Sequence, residues 1–207
     1  MRVEQIEVKP SPREEVARLV SAIVHPIAFP LLTLGVISVI ATGSVPQAIK
    51  WMLVALALVS LPVSVLVSYQ VLRGHWTDLD VSVRRQRYAL YPFGLACMVA
   101  LALAYAHFGA PQIVVRASLG VALSNLLDGL INLVYKVSAH ATGAAVCATL
   151  LWFSAFAWGL PAGLAALAVG WSRVELKRHT PGQVVLGWAV GVLSTLVALH
   201  LPLPSSI

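Results

Sequence analysis

The sequence predicts an all-α protein, a bundle of six to seven transmembrane helices preceded by an interfacial helix. Of its 207 residues, 59% are hydrophobic and only 11% are charged, whereas soluble domains carry about 25% charged residues. The apolar residues form runs that approach the length of about 20 residues that a spanning helix needs. Most charged residues lie in short segments between those runs. We expect one integral membrane domain over residues 1–207.

Residues 1–20 are predicted to form an N-terminal interfacial segment that leads into the membrane. Residues 1–9 are polar and mixed in charge, so we expect no cleavable signal and insertion through the first span. Ser11 suits an N-cap, Pro12 a first helical position, and Glu14 and Glu15 a first turn.

Seven apolar runs follow, separated by turns or polar segments. Prolines at positions 26, 30 and 62 predict kinks within the first two runs. Residues 159–161 (Gly-Leu-Pro) divide the fifth run from a short sixth, which reaches membrane length only if its helix continues into the polar segment that follows. In a six-span alternative, this short run is re-entrant. The predicted spans are approximately residues 22–41, 51–72, 89–108, 113–135, 141–158, 162–171 and 181–201.

Three polar segments lie between the spans: residues 73–88, 136–140 and 172–183. We call them the first, second and third polar segments. Seven spans place all three on one membrane face, together with twelve of the fourteen Lys and Arg residues; only Lys50 and Arg116 fall on the other face. The positive-inside rule then makes the segment face cytoplasmic, and we expect the cell inner (plasma) membrane.

The first polar segment is rich in arginine. If it is helical from Asp80, then Asp80 and Arg84 stand four residues apart, and Arg84 and Arg87 share that face. A cationic face of this kind suits a phosphate group, which the planar guanidinium binds well. The alternative is a basic cluster that only holds anionic lipid headgroups.

The predicted fourth span carries Asn125, Asp128 and Asn132 on one face. Polar side chains at this depth face the bundle or a wet cavity. They either form hydrogen bonds between helices or support a site from below, since Asp128 lies about 12 Å along the helix from Lys136.

Two histidines, several arginines and a serine in these segments suggest phosphoryl transfer by covalent catalysis. One histidine attacks phosphorus, and the other protonates the leaving oxygen and then activates water. Arginines and backbone amides hold the phosphate oxygens as charge builds. The segments lack the ligand spacing of a metal site, so we expect no metal and no cofactor.

These residues resemble the motifs of the type 2 phosphatidic acid phosphatase (PAP2) superfamily of membrane lipid phosphatases, K-x6-R-P, P-S-G-H and S-R-x5-H-x3-D. The third motif matches best, with Ser172, Arg173 and His179 in register. Residues 137–140 read Val-Ser-Ala-His and keep the serine and histidine of the second motif. The first motif keeps only its arginine, at position 87, with Asp at position 80 and Tyr at position 88. The match covers roughly residues 73–200.

The resemblance implies a metal-independent lipid phosphatase that works through phosphohistidine. His179 would be the nucleophile and His140 the general acid. Phosphate would be held by a set of polar side chains: Arg87, Arg173, Ser138, Lys136, which could replace the lysine absent at position 80, and Arg84. The expected partners are a lipid phosphate or diphosphate (polyprenyl or phosphatidate class) and membrane lipids, with no nucleic acid.

Gln183 departs from the family pattern, because it occupies the position of the aspartate that orients the nucleophilic histidine. A glutamine oxygen can fix the imidazole tautomer but adds no negative charge. Three interpretations follow. Another acid, Asp80, Glu175 or Asp128, compensates; or the enzyme is slow or needs an activated substrate such as a diphosphate; or the site binds phosphate without hydrolysis.

Two other functions are compatible with the sequence. Gln183 together with Asp80 favours a non-catalytic protein that binds or transports lipid phosphates. A prenyltransferase-like enzyme would require paired aspartate clusters for magnesium diphosphate, and the chain offers only Asp78, Asp80 and an isolated Asp128.

Overall fold

The computed structural model describes residues 11–203, and these form helices without any strand. The predictions for residues 1–10 lie outside this range. The nine α-helices are α1 Pro12–Ile23, α2 Ala28–Thr42, α3 Val45–Ala55, α4 Leu61–Leu72, α5 Arg87–His107, α6 Gln112–Asn132, α7 Ala139–Ser154, α8 Phe156–Glu175 and α9 Pro181–His200. A π-helical turn, Leu56–Ser60, joins α3 to α4, and a 3-10 turn, Arg84–Gln86, precedes α5.

The described helices confirm the all-α fold class. Four are long and apolar enough to cross a membrane, and the number is five if α1 and α2, which meet at a bend of 43°, count as one span. The four are Val45–Leu72, Arg84–His107, Gln112–Asn132 and Pro181–His200. Large apolar side chains such as Leu72, Leu103 and Leu193 are exposed on their outer faces, as expected for helices that contact lipid.

The N-terminal helix begins as the sequence predicts. The Ser11 hydroxyl accepts a hydrogen bond from the Glu14 amide (3.3 Å), and the Glu14 carboxylate accepts one from the Ser11 amide (3.0 Å). This reciprocal pair satisfies donors that a helix start leaves free. The predicted kinks also have structural counterparts: the bend between α1 and α2 contains Pro26, and the π-helical turn comes just before Pro62.

The predicted break at residues 159–161 is wrong. The chain turns at Ala155, and Pro161 lies inside α8, which continues for 20 residues into the third polar segment. Gly159 instead allows a close helix contact, since a Cβ there would lie 2.7 Å from the Cα of Trp152. The sixth run is therefore one continuous helix.

The predicted helix from Asp80 is also wrong. Val81 has a positive φ of 48°, which is uncommon for a β-branched residue. The Asp78 carboxylate accepts hydrogen bonds from the amide and hydroxyl of Ser82, and this local turn competes with a helix. Asp80 and Arg84 therefore do not form an i, i+4 pair.

Helices α7 and α9 pack with their backbones in contact. A Cβ at Gly187 would lie 2.8 Å from the Ser138 carbonyl oxygen, and one at Gly191 would overlap the Thr142 carbonyl oxygen. The two glycines are four residues apart, the small-residue spacing that permits close helix approach in membranes. This contact places the start of α7 beside the start of α9.

We predict that Gly191→Ala destabilises the protein by about 1–3 kcal/mol, the usual cost of overpacking. The matched control is Gly163→Ala, because an added Cβ there meets no atom within 4 Å; it should stabilise α8 by about 0.5–1 kcal/mol. Unfolding in detergent micelles measures both. Equal effects of the two substitutions would contradict the close α7–α9 contact.

Candidate functional site

The structure brings the three polar segments together at one end of the bundle. Arg173 Nη2 donates to Asp80 Oδ2 at 2.9 Å, which joins the third segment to the first. Arg87 Nη1 donates to the Val137 carbonyl at 2.9 Å, which joins the first to the second. The Ser138 amide donates to the Gln183 carbonyl at 3.2 Å, which joins the second to the third. Residues remote in sequence thus share one polar cluster.

His179 is buried, with 6% of its surface exposed, and Gln183 fixes its orientation. The Gln183 side chain belongs to the cap of α9: its Oε1 accepts a hydrogen bond from the Thr180 amide (3.4 Å) and lies 3.0 Å from His179 Nδ1. Because an amide N–H bonds only to an acceptor, this contact identifies the oxygen, and His179 Nδ1 must donate to it. In the neutral imidazole, this donation leaves Nε2 unprotonated.

The electrostatic surroundings also favour neutral His179. Burial lowers the pKa of His179 to about 3, and the positive charges of Arg87 and Lys136 act in the same direction. An unprotonated imidazole is the form that can act as a nucleophile.

Arg173 and Asp80 form an ion pair beside His140. Arg173 is 3% exposed, and its Nε has no hydrogen-bond partner among the described residues. Asp80 Oδ1 lies 4.0 Å from His140 Nε2. Burial raises the pKa of Asp80, but the charge and hydrogen bond of Arg173 outweigh it and hold this pKa below its usual value. The Asp80 carboxylate therefore lies between Arg173 and His140.

Arg87 is buried and organises the first two segments. Its Nε donates to the Val81 carbonyl at 2.7 Å, and its Nη1 donates to Val137. The first bond holds the unusual turn at Val81.

Ser138 and Lys136 hold the second segment in place. Ser138 is fully buried, and its hydroxyl accepts from the Ala141 amide at 3.4 Å as the N-cap of α7. Lys136 Nζ donates to the Arg178 carbonyl at 2.8 Å. Burial lowers the pKa of Lys136, as do the nearby charges of Arg87, Arg173 and Arg178. The surroundings of this lysine are therefore strongly cationic.

Arg84 is engaged elsewhere. Its Nη1 donates to the carbonyls of Asn132 (3.1 Å) and Leu133 (2.7 Å) at the end of α6, and the Asn132 side-chain amide donates to the Arg84 carbonyl. A cation at the C-terminus of a helix is favourable. The structure thus gives Arg84 a role in fastening the first segment to α6, and its binding of phosphate stays a prediction.

Asp128 supports α7 from within the bundle. Its Oδ1 lies 3.1 Å from the Thr142 hydroxyl, which also lies 3.2 Å from the Ser138 carbonyl. Of the other two acids considered as substitutes for an aspartate at position 183, Asp80 contacts Arg173 and lies 4.0 Å from His140, and Glu175 forms no ion pair in the described part of the chain. Gln183 is therefore the orienting group.

A cavity of about 490 Å³ opens beside the cluster. Asp80, Arg87, Asp128 and His140 line its polar end, and the rest of its wall is mainly apolar. Arg173 and His179 are not among its lining residues, although both lie in the same hydrogen-bonded cluster.

Sequence reasoning missed several residues that shape this site. Ser21 on α1 contacts both Ser172 (3.0 Å) and Arg173 (3.4 Å), and Ser82 accepts from Arg178; no sequence pattern marks these contacts. The pair of glycines at 187 and 191 could have been found from its spacing.

Comparisons of the chain with protein-family models, with curated proteins and with solved structures found no match.

We predict that Gln183→Glu raises the pKa of His179 above about 3, because a carboxylate beside the imidazole stabilises its protonated form. Gln183→Met removes the acceptor and should leave the ring without a fixed tautomer. NMR of histidine-labelled protein in micelles measures both effects. An unchanged tautomer in Gln183→Met would show that Gln183 does not orient the ring.

Proposed function

We propose that the protein is a membrane lipid phosphatase of the PAP2 type that works through a phosphohistidine. The observation that best supports this is the 3.0 Å contact between His179 Nδ1 and Gln183 Oε1, since a hydrogen bond donated by Nδ1 leaves Nε2 of the neutral ring free to attack. His179 lies in the same cluster as His140 and the buried Arg87 and Arg173. The substrate would be a lipid phosphate or diphosphate of the polyprenyl or phosphatidate class.

The proposal includes a topology of seven spans. In it, α1 and α2 form one bent span, and α7 and α8 cross the membrane together with the four long apolar helices. All three polar segments then lie on the cytoplasmic face of the inner (plasma) membrane, as the distribution of Lys and Arg favours. The support is that the three segments contact one another.

In the proposed reaction, the two histidines divide the chemistry. His179 Nε2 attacks phosphorus, a P–N bond forms, and the P–O bond to the lipid breaks. His140 gives its proton to the leaving oxygen. Water then attacks the phosphohistidine while His140 takes a proton from it, which releases phosphate and restores both imidazoles. No step in this cycle uses a metal.

The cationic residues would stabilise the transferred group. Arg173 Nε has no partner within the described residues. A phosphate oxygen could satisfy this nitrogen, and buried guanidinium groups such as those of Arg173 and Arg87 stabilise developing negative charge strongly. Lys136 and the backbone at Ser138 would complete the phosphate site.

Asp80 would affect both phosphate binding and proton transfer at this site. Its carboxylate occupies Arg173 and approaches His140, the groups assigned here to phosphate and to the leaving oxygen. A substrate phosphate must therefore compete with Asp80 for Arg173, and the same carboxylate would stabilise the positive charge of His140 when that imidazole takes up a proton.

A second candidate function is phosphate-lipid binding or transport without hydrolysis. The ion pair of Asp80 with Arg173 favours it, since it occupies one phosphate ligand, and so does the neutral Gln183. Retention of a radiolabelled lipid phosphate without any phosphate release would support this alternative over the phosphatase.

We predict that His179→Ala and His140→Ala each abolish phosphate release from polyprenyl phosphate or phosphatidate in micelles. The first substitution removes the nucleophile, and the second removes the group that transfers protons. EDTA should leave the wild-type rate unchanged. The control is His107→Ala at the end of α5, where a full rate is expected. Wild-type rates in both site variants would refute the mechanism.

We predict opposite effects of Asp80→Asn on binding and turnover. Inhibition by inorganic phosphate should tighten, because Arg173 loses its competitor, whereas kcat should fall by about tenfold or more, because His140 loses the carboxylate that stabilises its protonated form. Steady-state kinetics with phosphate as inhibitor measure both. A fall in kcat without tighter inhibition would contradict the competition.

A further inference from the structure

We infer that the cavity beside the polar cluster accommodates a hydrocarbon chain of the substrate. This inference rests on the proposed function. It concerns a separate question, namely what part of the lipid enters the protein.

The cavity is long enough for a hydrocarbon chain. Along α5 its wall extends from Arg87 to Tyr105, a distance of about 27 Å at the helical rise of 1.5 Å per residue. Along α6 it extends from Val114 to Asp128. Its volume of about 490 Å³ provides room for hydrocarbon along these two helices.

The chemistry of the wall changes along its length. The polar end carries Arg87, His140 and Asp80, and Arg173 neutralises the last of these. Towards the other end, Leu101, Val114, Val146 and Leu150 provide an apolar wall, and several further residues are apolar as well. An anionic headgroup with an apolar tail is complementary to this gradient, because each part meets groups of matching polarity.

The far end of the cavity is closed. Tyr105 is 1% exposed, and its hydroxyl donates to the Trp51 carbonyl at 2.8 Å. The two rings also pack edge to face, with centroids 5.7 Å apart. This pair forms a floor that sets a maximum length for the chain.

The side of the cavity between α2 and α4 provides an entrance from the bilayer. Both helices contribute to the wall, through residues such as Pro30 and Leu31 on α2 and Val63 on α4. Among the described helices, these two share no extensive interface. A lipid can therefore introduce one tail laterally while its headgroup stays at the membrane surface.

Gly143 marks the position just below the headgroup. It lies three residues after His140 on α7, it lines the cavity, and a Cβ added there meets no atom within 4 Å. A leucine at this position therefore needs no movement of its neighbours, and its side chain occupies space that the chain would use. Gly163 on α8 is the matched control: it has the same freedom and does not line this cavity.

The test compares hexadecyl phosphate with butyl phosphate in lipid nanodiscs. Wild type should hydrolyse hexadecyl phosphate with the higher kcat/KM. In Gly143→Leu, the ratio of the two kcat/KM values should fall at least tenfold, and in Gly163→Leu the ratio should not change. An unchanged ratio in Gly143→Leu overturns the inference.

Dihexadecanoyl phosphatidate tests whether a substrate with two chains also uses the cavity. Its kcat/KM relative to that of butyl phosphate should likewise fall in Gly143→Leu, because the leucine occupies space that a chain would use. A preference for phosphatidate that Gly143→Leu leaves intact would show that the tails remain in the bilayer, and it would overturn the inference.

Binding separates failure of this inference from failure of the proposed function. If wild type hydrolyses none of these compounds, the phosphatase proposal fails, and the affinity for hexadecyl phosphate still tests the cavity. We then expect at least tenfold weaker binding in Gly143→Leu than in Gly163→Leu. Equal affinities would overturn the cavity assignment by itself.

Discussion

The backbone contact between α7 and α9 is the constraint on which the candidate site depends. Gly187 and Gly191 have no side chains, so the two helices approach until Ser138 and Thr142 carbonyls touch them. At this separation the Ser138 amide reaches the Gln183 carbonyl, and the first turns of both helices become neighbours. His140 lies on one of these turns, and His179 immediately precedes the other. Wider packing would separate them, whatever their side chains.

Charge balance then determines what the cluster can do. Arg173 and Arg178 act on Asp80, and Arg173 holds the pKa of this carboxyl low despite its burial. Lys136 is surrounded by the positive charges of Arg87, Arg173 and Arg178. The same surroundings, together with burial, lower the pKa of His179. An excess of positive charge around a neutral imidazole suits attack on an anionic phosphate, since the phosphate supplies the missing negative charge when it binds. The same feature accounts for the capping glutamine: with an anionic substrate in place, a neutral acceptor is sufficient to fix the tautomer.

The sequence predicted the all-α class, the capped start of α1 and the grouping of the three polar segments, because hydropathy, capping residues and segment order are local properties. It placed one break incorrectly: Gly159 and Pro161 have the composition of a turn, but Gly159 packs against Trp152 within a helix hairpin. It also missed the turn at Val81, which is maintained by Arg87 and Asp78 rather than by local propensity. The role of Arg84 at the end of α6 depends on tertiary contacts that no pattern in the sequence specifies.

The most direct test of the central claim is detection of the covalent intermediate. When His140→Ala is supplied with para-nitrophenyl phosphate, nitrophenolate can leave without protonation by an acid, because it is a good leaving group. The phosphohistidine should then accumulate, because no base activates the water that would hydrolyse it. Mass spectrometry of peptides at neutral pH should find one acid-labile phosphoryl group, on His179. Release of nitrophenol by this variant with no phosphoryl group on His179, or with one on another residue, would contradict the account.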